Sequence, residues 1–150
     1  MSAAASSPAA VLTYLAFDYG AKRVGVACGN SHTRQAQPLQ TIAAEGAQRF
    51  ERIAQLVAEW QPAALVVGVP FHPDGAEHEN TVRARKFGRQ LCGRFHLPVH
   101  EVDERYSTTE AIAHGARDLD AASAAILLQQ YFDAMGAAAT GAVPPNERPA

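Results

Sequence analysis

The feature that most constrains the fold is a pair of short β-prone runs separated by a glycine-containing turn. The first run, residues 14–19, carries Asp18 near its end and is followed at once by Gly20, and the second run spans residues 23–29. Only about three residues join the two runs, whereas two parallel strands need a crossover of about a dozen residues or more. We therefore predict an antiparallel hairpin with Asp18 beside its turn.

The rest of the chain alternates strand and helix patterns. Strands are predicted at 37–42, at the continuous apolar run 64–69, which is typical of a strand buried on both faces, and at 99–102. Helices are predicted at 48–60, 80–95 and 108–114, and a last one begins at Asp120. This order predicts an α/β fold with a mixed five-stranded sheet, in which the first three strands are antiparallel and the last two are parallel, flanked by α-helices.

Two helices have apolar stripes that indicate the faces they bury. In the helix at 48–60 the stripe comprises Phe50, Ile53, Leu56, Val57 and Trp60, and in the last helix it comprises Ala124, Leu127, Leu128, Tyr131 and Phe132. For the helix at 80–95 we expect Val82, Phe87, Leu91 and Phe95 to be buried and the basic side chains to be exposed.

Length and composition favour one globular domain. The chain has 150 residues, 47% of them hydrophobic and 19% charged, which is typical of a single compact domain. We expect this domain at 13–137, between flexible tails at 1–12 and 138–150 that are rich in small residues and proline. The start of the chain lacks the pattern of a secretory signal, and no window reaches the roughly 18 to 20 apolar residues of a membrane span. The chain has only two cysteines, Cys28 and Cys92, which lack metal-ligand spacing and favour a reducing compartment, although one disulfide between them stays open. We therefore predict a cytoplasmic protein without a membrane association.

Carboxylates stand at the ends of predicted elements. Asp18 ends the first strand, Asp103 and Glu104 follow the fifth, and Asp120 opens the last helix. Two or three carboxylates that meet at one edge of a sheet suit Mg²⁺, a hard cation that prefers oxygen ligands. Two such ions about 3.5 to 4 Å apart stabilise both the attacking and the leaving oxygen of a phosphoryl displacement.

Each acid also has a purely structural interpretation. Asp18 could accept hydrogen bonds from turn amides, and Asp120 could cap the helix. A charge at the end of an apolar strand is nevertheless costly unless a cation neutralises it. Asp103 and Glu104 are adjacent and point to opposite faces of a regular strand, so only one of them is expected to join a common site.

Five segments occur in an order that resembles a known family. They are LAFDYGAKRVGVACG at 15–29, LVVGVP at 65–70 with Asp74 and Gly75 beyond it, TVRARKFGRQL at 81–91, VDERYST at 102–108 and DAASAAILLQQYF at 120–132. Together they resemble the YqgF/RuvX family, whose members are described as pre-16S rRNA nucleases and share the ribonuclease H-like fold with Holliday junction resolvases. The resemblance extends over almost everything from Leu12 to Phe132.

The resemblance implies a ribonuclease H-like fold and a metal-dependent endonuclease, with Mg²⁺ or Mn²⁺ as cofactor, that trims the 5′ end of the 16S rRNA precursor. Its partners would be this RNA and the pre-30S ribosomal particle, and the protein would be a monomer or a weak homodimer. The catalytic and metal-binding acids carry over onto Asp18, onto Glu104 with Asp103 as competitor, and onto Asp120 with Asp118 as rival. The apolar register that follows Asp120 favours it over Asp118.

One departure concerns the loop before the last helix. The family usually has a longer, often basic and glycine-containing loop there, whereas this chain has only HGARDLD at 114–120. The shorter loop puts the strength of substrate binding in doubt. Other candidates for substrate binding are Lys22 in the hairpin turn, Arg85 in the third matched segment and Arg105 beside the acids, because cationic side chains position phosphates without reading sequence. Each could equally lie in solvent or form a structural ion pair.

Three other functions fit parts of the sequence. A Holliday junction resolvase-like endonuclease would use the same chemistry on structured DNA, and a non-catalytic RNA-binding ribosome-assembly factor would use the same fold without turnover. Actin-like ATPases and sugar kinases also begin with a strand-Asp-x-Gly-strand hairpin, but they need two such domains, which 150 residues do not contain.

Overall fold

The computed structural model describes residues 11–71, 79–104 and 119–139. The strands are β1 (Thr13–Tyr19), β2 (Val24–Asn30), β3 (Gln37–Ile42), β4 (Ala64–Pro70) and β5 (Val99–Glu104), and the helices are α1 (Gly46–Trp60), α2 (Glu79–Phe95) and α3 (Leu119–Ala139). The loop with Asp74 and Gly75, the short helix expected at 108–114 and most of the two expected tails lie outside the described residues.

The five strands form one mixed sheet in the order β3-β2-β1-β4-β5. β1 and β2 pair in antiparallel fashion, as do β2 and β3, whereas β1 pairs with β4 and β4 with β5 in parallel. The predicted architecture is therefore confirmed. Because β1, β4 and β5 run in the same direction, their carboxyl ends lie along one edge of the sheet, which we call the carboxyl edge.

Helices cover both faces of the sheet. Leu15 and Phe17 of β1 pack with α1 and α2 in the larger hydrophobic cluster, whereas Tyr14 and Ala16 pack with α3 in the smaller one. This alternation follows from the pleat of a strand, which sends successive side chains to opposite faces. The result is a three-layer α/β/α domain with β1 and β4 at its centre.

Small residues let α3 lie close to the sheet. Its own packed face includes Ala121 and Ala124, and the strands below it contribute Ala16 and Ala27, all with no more than 1% exposed surface. A Cβ added to Gly29 would meet the Phe132 ring at 2.7 Å. The position of α3 is therefore fixed by direct contact with the backbone of β2.

The predicted buried stripe of α2 is wrong at one position. Val82 is 60% exposed, whereas Ala84 and Leu91 are fully buried and Phe87 is 2% exposed. Residues 84, 87, 88 and 91 repeat at three or four positions and form the buried face, and Val82 lies about half a turn away from the centre of that face. Hydrophobicity favours Val82, whereas a glycine such as Gly88 carries no hydrophobic signal although it lies against Val99 and Val67 of the sheet.

Both cysteines are free thiols, Cys28 buried and Cys92 exposed. Burial raises the pKa of the Cys28 thiol.

Among the described residues, no helix is long and apolar enough to cross a membrane.

Candidate functional site

Asp18 lies one residue before the end of β1, at the carboxyl edge. Its register partners are Gly25 on β2 and Gly68 on β4. Directly opposite residues share a face of the sheet, and because Tyr14 and Ala16 pack toward α3, alternation places Asp18 on the α3 face as well. Asp18 is half-buried, and both of its lateral neighbours in the sheet are glycines, which carry no side chain.

The first turn of α3 places Asp120 next to this position. An ideal Cβ on Gly25 would lie 1.8 Å from the carbonyl oxygen of Asp120, so the backbone of Asp120 passes directly over the register partner of Asp18. The Arg23 Nε lies 3.2 Å from the Asp120 Oδ2, and the two side chains are 64% and 37% exposed. Asp120 lies in the first turn of α3, where an acid interacts favourably with the helix dipole. A structural role at the helix terminus does not by itself explain why Asp120 also lies at the carboxyl edge.

At the end of β5, positions 103 and 104 lie on opposite faces of the sheet, as the register with β4 and the packing of the strand show. Val69 of β4 pairs with Asp103 and Pro70 with Glu104. Val102 packs against the α3-side cluster, so position 104, two residues later, falls on the same face. Glu101 pairs with Arg85 of α2 at 3.5 Å, and position 103 shares that opposite face. The side chain of Glu104, together with Arg105 and Asp118, lies outside the described part of the chain.

The two other expected phosphate-binding residues, Lys22 and Arg85, lie on different elements of the fold. Lys22 is exposed in the turn between β1 and β2. Arg85 belongs to α2, and its guanidinium pairs with Glu101 of β5. The guanidinium also lies 5.4 Å from the centroid of the Phe71 ring. Arg85 is therefore on the α2 side of the sheet, whereas Lys22 is three residues beyond the end of β1 and directly before Arg23.

A buried arginine supports the hairpin turn and was not predicted. Arg49 of α1 is only 5% exposed; its Nε donates to the Ala44 carbonyl at 2.8 Å and its Nη2 to the Ala21 carbonyl at 3.2 Å. Its guanidinium also lies 5.6 Å from the centroid of the Tyr19 ring. Burial lowers the pKa of this guanidinium, which still carries its charge because arginine is not deprotonated in proteins. The signal was its position four residues before Ile53, on the apolar stripe of α1.

Thr81 supports the neighbouring strand end in a comparable way. It is fully buried in the first turn of α2, and its hydroxyl donates a hydrogen bond to the carbonyl of Pro70, at the end of β4. Beyond its place in the third matched segment, no sequence pattern distinguishes Thr81 from other threonines. This contact fixes the start of α2 at the carboxyl edge.

The donor set at this edge suits a hard divalent cation. Asp18 and Asp120 each carry a carboxylate, and the backbone position of Glu104 lies on the same face. Among the described side chains, which do not include that of Glu104, no three His, Cys, Asp or Glu groups are close enough to hold a metal ion. The arrangement of oxygen donors beside two glycines fits a metal ion with one or two carboxylates and several waters, the coordination that Mg²⁺ adopts in proteins.

Comparisons with known proteins agree on one family. The family model of RuvX, described as Holliday junction resolvase, matches residues 12–134. A relative from Albidiferax ferrireducens is 66% identical over 120 residues, which cover 80% of this chain and 77% of that protein. One from Polaromonas sp. is 63% identical over 124 residues, which cover 83% and 90% of the two chains. Both carry the name "Putative pre-16S rRNA nuclease".

A solved structure supports the fold independently. RuvC from T. thermophilus, in complex with a Holliday junction substrate, superposes with a TM-score of 0.54 at 16% sequence identity and covers 87% of this chain and 97% of its own. At that identity the match concerns the fold alone, and it agrees with the ribonuclease H-like α/β fold expected from the sequence. With the family model spanning the sheet and all three helices, the chain belongs to the RuvX family.

Proposed function

We propose that this protein is an endonuclease that hydrolyses phosphodiester bonds of the 16S rRNA precursor during maturation of its 5′ end. The observation that carries the proposal is that Gly25 pairs in register with Asp18 and also lies directly under the backbone of Asp120, at the carboxyl edge and on the face that position 104 shares. Relatives at 66% and 63% identity carry the corresponding name, and this supports RNA as the substrate.

The proposed cofactor is Mg²⁺ or Mn²⁺, with Asp18, Glu104 and Asp120 as its ligands. These residues would hold the metal, which when bound would supply Lewis-acid chemistry at the scissile phosphate and would make a water molecule more acidic. The task of the protein is to hold the three carboxylates at a fixed spacing. Gly25 contributes to this spacing because its lack of a side chain lets α3 approach β2. Arg49 contributes because it hydrogen-bonds to the turn that follows Asp18.

Cationic side chains are proposed to hold the RNA backbone. Lys22 is exposed in the hairpin turn that follows Asp18 and would contact phosphates next to the cleaved bond. Arg105 would do so from the segment after β5. Arg85 would contact the backbone farther along, on the α2 side of β5, and must exchange its pairing with Glu101 to do so. We further propose that the protein acts in the cytoplasm on the pre-30S particle, as a monomer or a weak homodimer.

The test compares two substrates under three metal conditions. A labelled 16S precursor fragment and a four-way DNA junction are incubated side by side with Mg²⁺, with Mn²⁺ and with a chelator. We expect metal-dependent cutting of the RNA alone. Cutting of the junction alone would replace the proposal by a DNA junction resolvase, and RNA binding without cutting under any condition would replace it by an assembly factor.

A further inference from the structure

The hairpin turn after Asp18 places a second kind of charge at the proposed metal site. Arg23 ends this turn, and its Nε lies 3.2 Å from the Asp120 Oδ2. Asp120 is one of the three proposed metal ligands, so a guanidinium occupies the same carboxylate that a metal ion would bind. An arginine and a divalent cation that share one carboxylate compete for it, because each neutralises the same charge.

The backbone of the turn that carries Arg23 is held by a hydrogen bond from a side chain of α1. Arg49 donates to the Ala21 carbonyl, two residues before Arg23, and Val24, the next residue, has no exposed surface. The backbone on both sides of Arg23 is therefore fixed, whereas its side chain is 64% exposed. Arg23 can consequently leave Asp120 by rotating its side chain, without a change in the fold.

The strength of the pair sets the size of the effect. Ion pairs between exposed side chains contribute about 0 to 1 kcal/mol, which is an equilibrium factor of at most about fivefold. A pair of this strength favours one orientation of Asp120 when no metal is present. A divalent cation that several carboxylates bind together is still able to displace the arginine. A buried arginine at the same place would block the site.

We propose that Arg23 is a displaceable counter-ion of the metal site. It neutralises and orients Asp120 in the metal-free protein, is released when a divalent metal binds that carboxylate, and then contacts a phosphate of the substrate beside the cleaved bond. This inference rests on the proposed function, since it requires Asp120 to be a metal ligand. It predicts opposite signs for two affinities: loss of Arg23 strengthens metal binding and weakens RNA binding.

The experiment measures both affinities in the full chain. Mg²⁺ and Mn²⁺ binding are determined by isothermal titration calorimetry without RNA, at about 0.15 M salt, where charges beyond about 8 Å are largely screened. Arg23→Gln is expected to bind the metal about two- to fivefold more tightly, with Arg23→Lys between it and the wild type. Single-turnover cleavage at saturating metal is expected to show a higher half-saturating RNA concentration for Arg23→Gln.

Lys22→Gln is the matched control, because it removes the same charge from the same turn. In the described part of the chain Lys22 forms no ion pair with Asp120, so its metal affinity is expected to equal that of the wild type. Unchanged or weaker metal binding in Arg23→Gln would overturn the inference. Absence of metal binding in the wild type would instead contradict the proposed function.

Discussion

Replacing Gly25 by alanine tests whether the close approach of α3 to β2 sets the spacing of the acids. The added Cβ would lie 1.8 Å from the Asp120 carbonyl oxygen, 2.1 Å from its carbonyl carbon and 2.9 Å from the Ala121 nitrogen. All three atoms are backbone, so no side chain can rotate away. An ordinary contact begins at 3.4 Å, and the start of α3 must therefore retreat by about 1.6 Å.

Such a displacement has two measurable consequences. Overpacking of a well-packed core costs about 1 to 3 kcal/mol in the free energy of unfolding. A displacement of about 1 Å at a reacting group can lower a rate about 100-fold. We expect Gly25→Ala to remain folded, with a lower urea midpoint, and to cleave the RNA at least about 100-fold more slowly at saturating metal.

Gly88→Ala provides the matched control in the same core. A Cβ on Gly88 of α2 would lie 3.5 Å from Val99 Cγ1 and 3.9 Å from Val67 Cγ2, which are ordinary contacts. Replacing a helical glycine by alanine is therefore expected to stabilise α2 by about 0.5 to 1 kcal/mol and to leave cleavage unchanged. Wild-type cleavage by folded Gly25→Ala would refute the argument that the contact between Gly25 and Asp120 positions the site.

Four further predictions follow from the described contacts. Arg49→Ala leaves two carbonyls without their donor and should lower the free energy of unfolding by about 1 to 3 kcal/mol, measured by urea denaturation; an unchanged midpoint would contradict the anchoring role. In the native protein one thiol, exposed Cys92, should react rapidly with a maleimide while buried Cys28 reacts only on unfolding; equal rates would contradict the assigned burial. Because the pKa of Cys28 is raised in the folded state, its unfolded thiol ionises first and stability should fall as the pH rises above the ordinary thiol range. Val82→Ser should change stability by less than about 0.5 kcal/mol, whereas Leu91→Ala should cost about 2 to 5 kcal/mol; similar losses would mean that the stripe of α2 is misplaced.

The sheet could be predicted from the chain because its signals are local. The short connection after Asp18 allows only an antiparallel pair, and the apolar run that became β4 is buried along its length. The order of strands then follows from connections that return to the same sheet in one hand. The predicted β3 agrees in its bounds with the observed strand, Gln37–Ile42.

Contacts between distant segments could not be predicted in the same way. Nothing in the sequence near Gly25 indicates that the backbone of Asp120 lies against it, because that contact depends on how α3 packs on the sheet. The roles of Arg49 and Arg23 depend on the same tertiary arrangement, and a basic residue on a surface helix or in a turn is most often exposed. For Val82 the opposite error occurred, since its hydrophobicity suggested burial at a position that faces away from the sheet.

Cleavage of a labelled 16S precursor fragment by Asp18→Asn is the measurement that tests the central proposal most directly. Asparagine keeps the shape of the side chain and removes the charge that a metal ligand needs. With Mg²⁺ or Mn²⁺ we expect no cleavage by Asp18→Asn and retained RNA binding, while Asp103→Asn, on the opposite face of β5, cleaves as the wild type does. Full activity of Asp18→Asn would contradict the assignment of the metal site to the carboxyl edge.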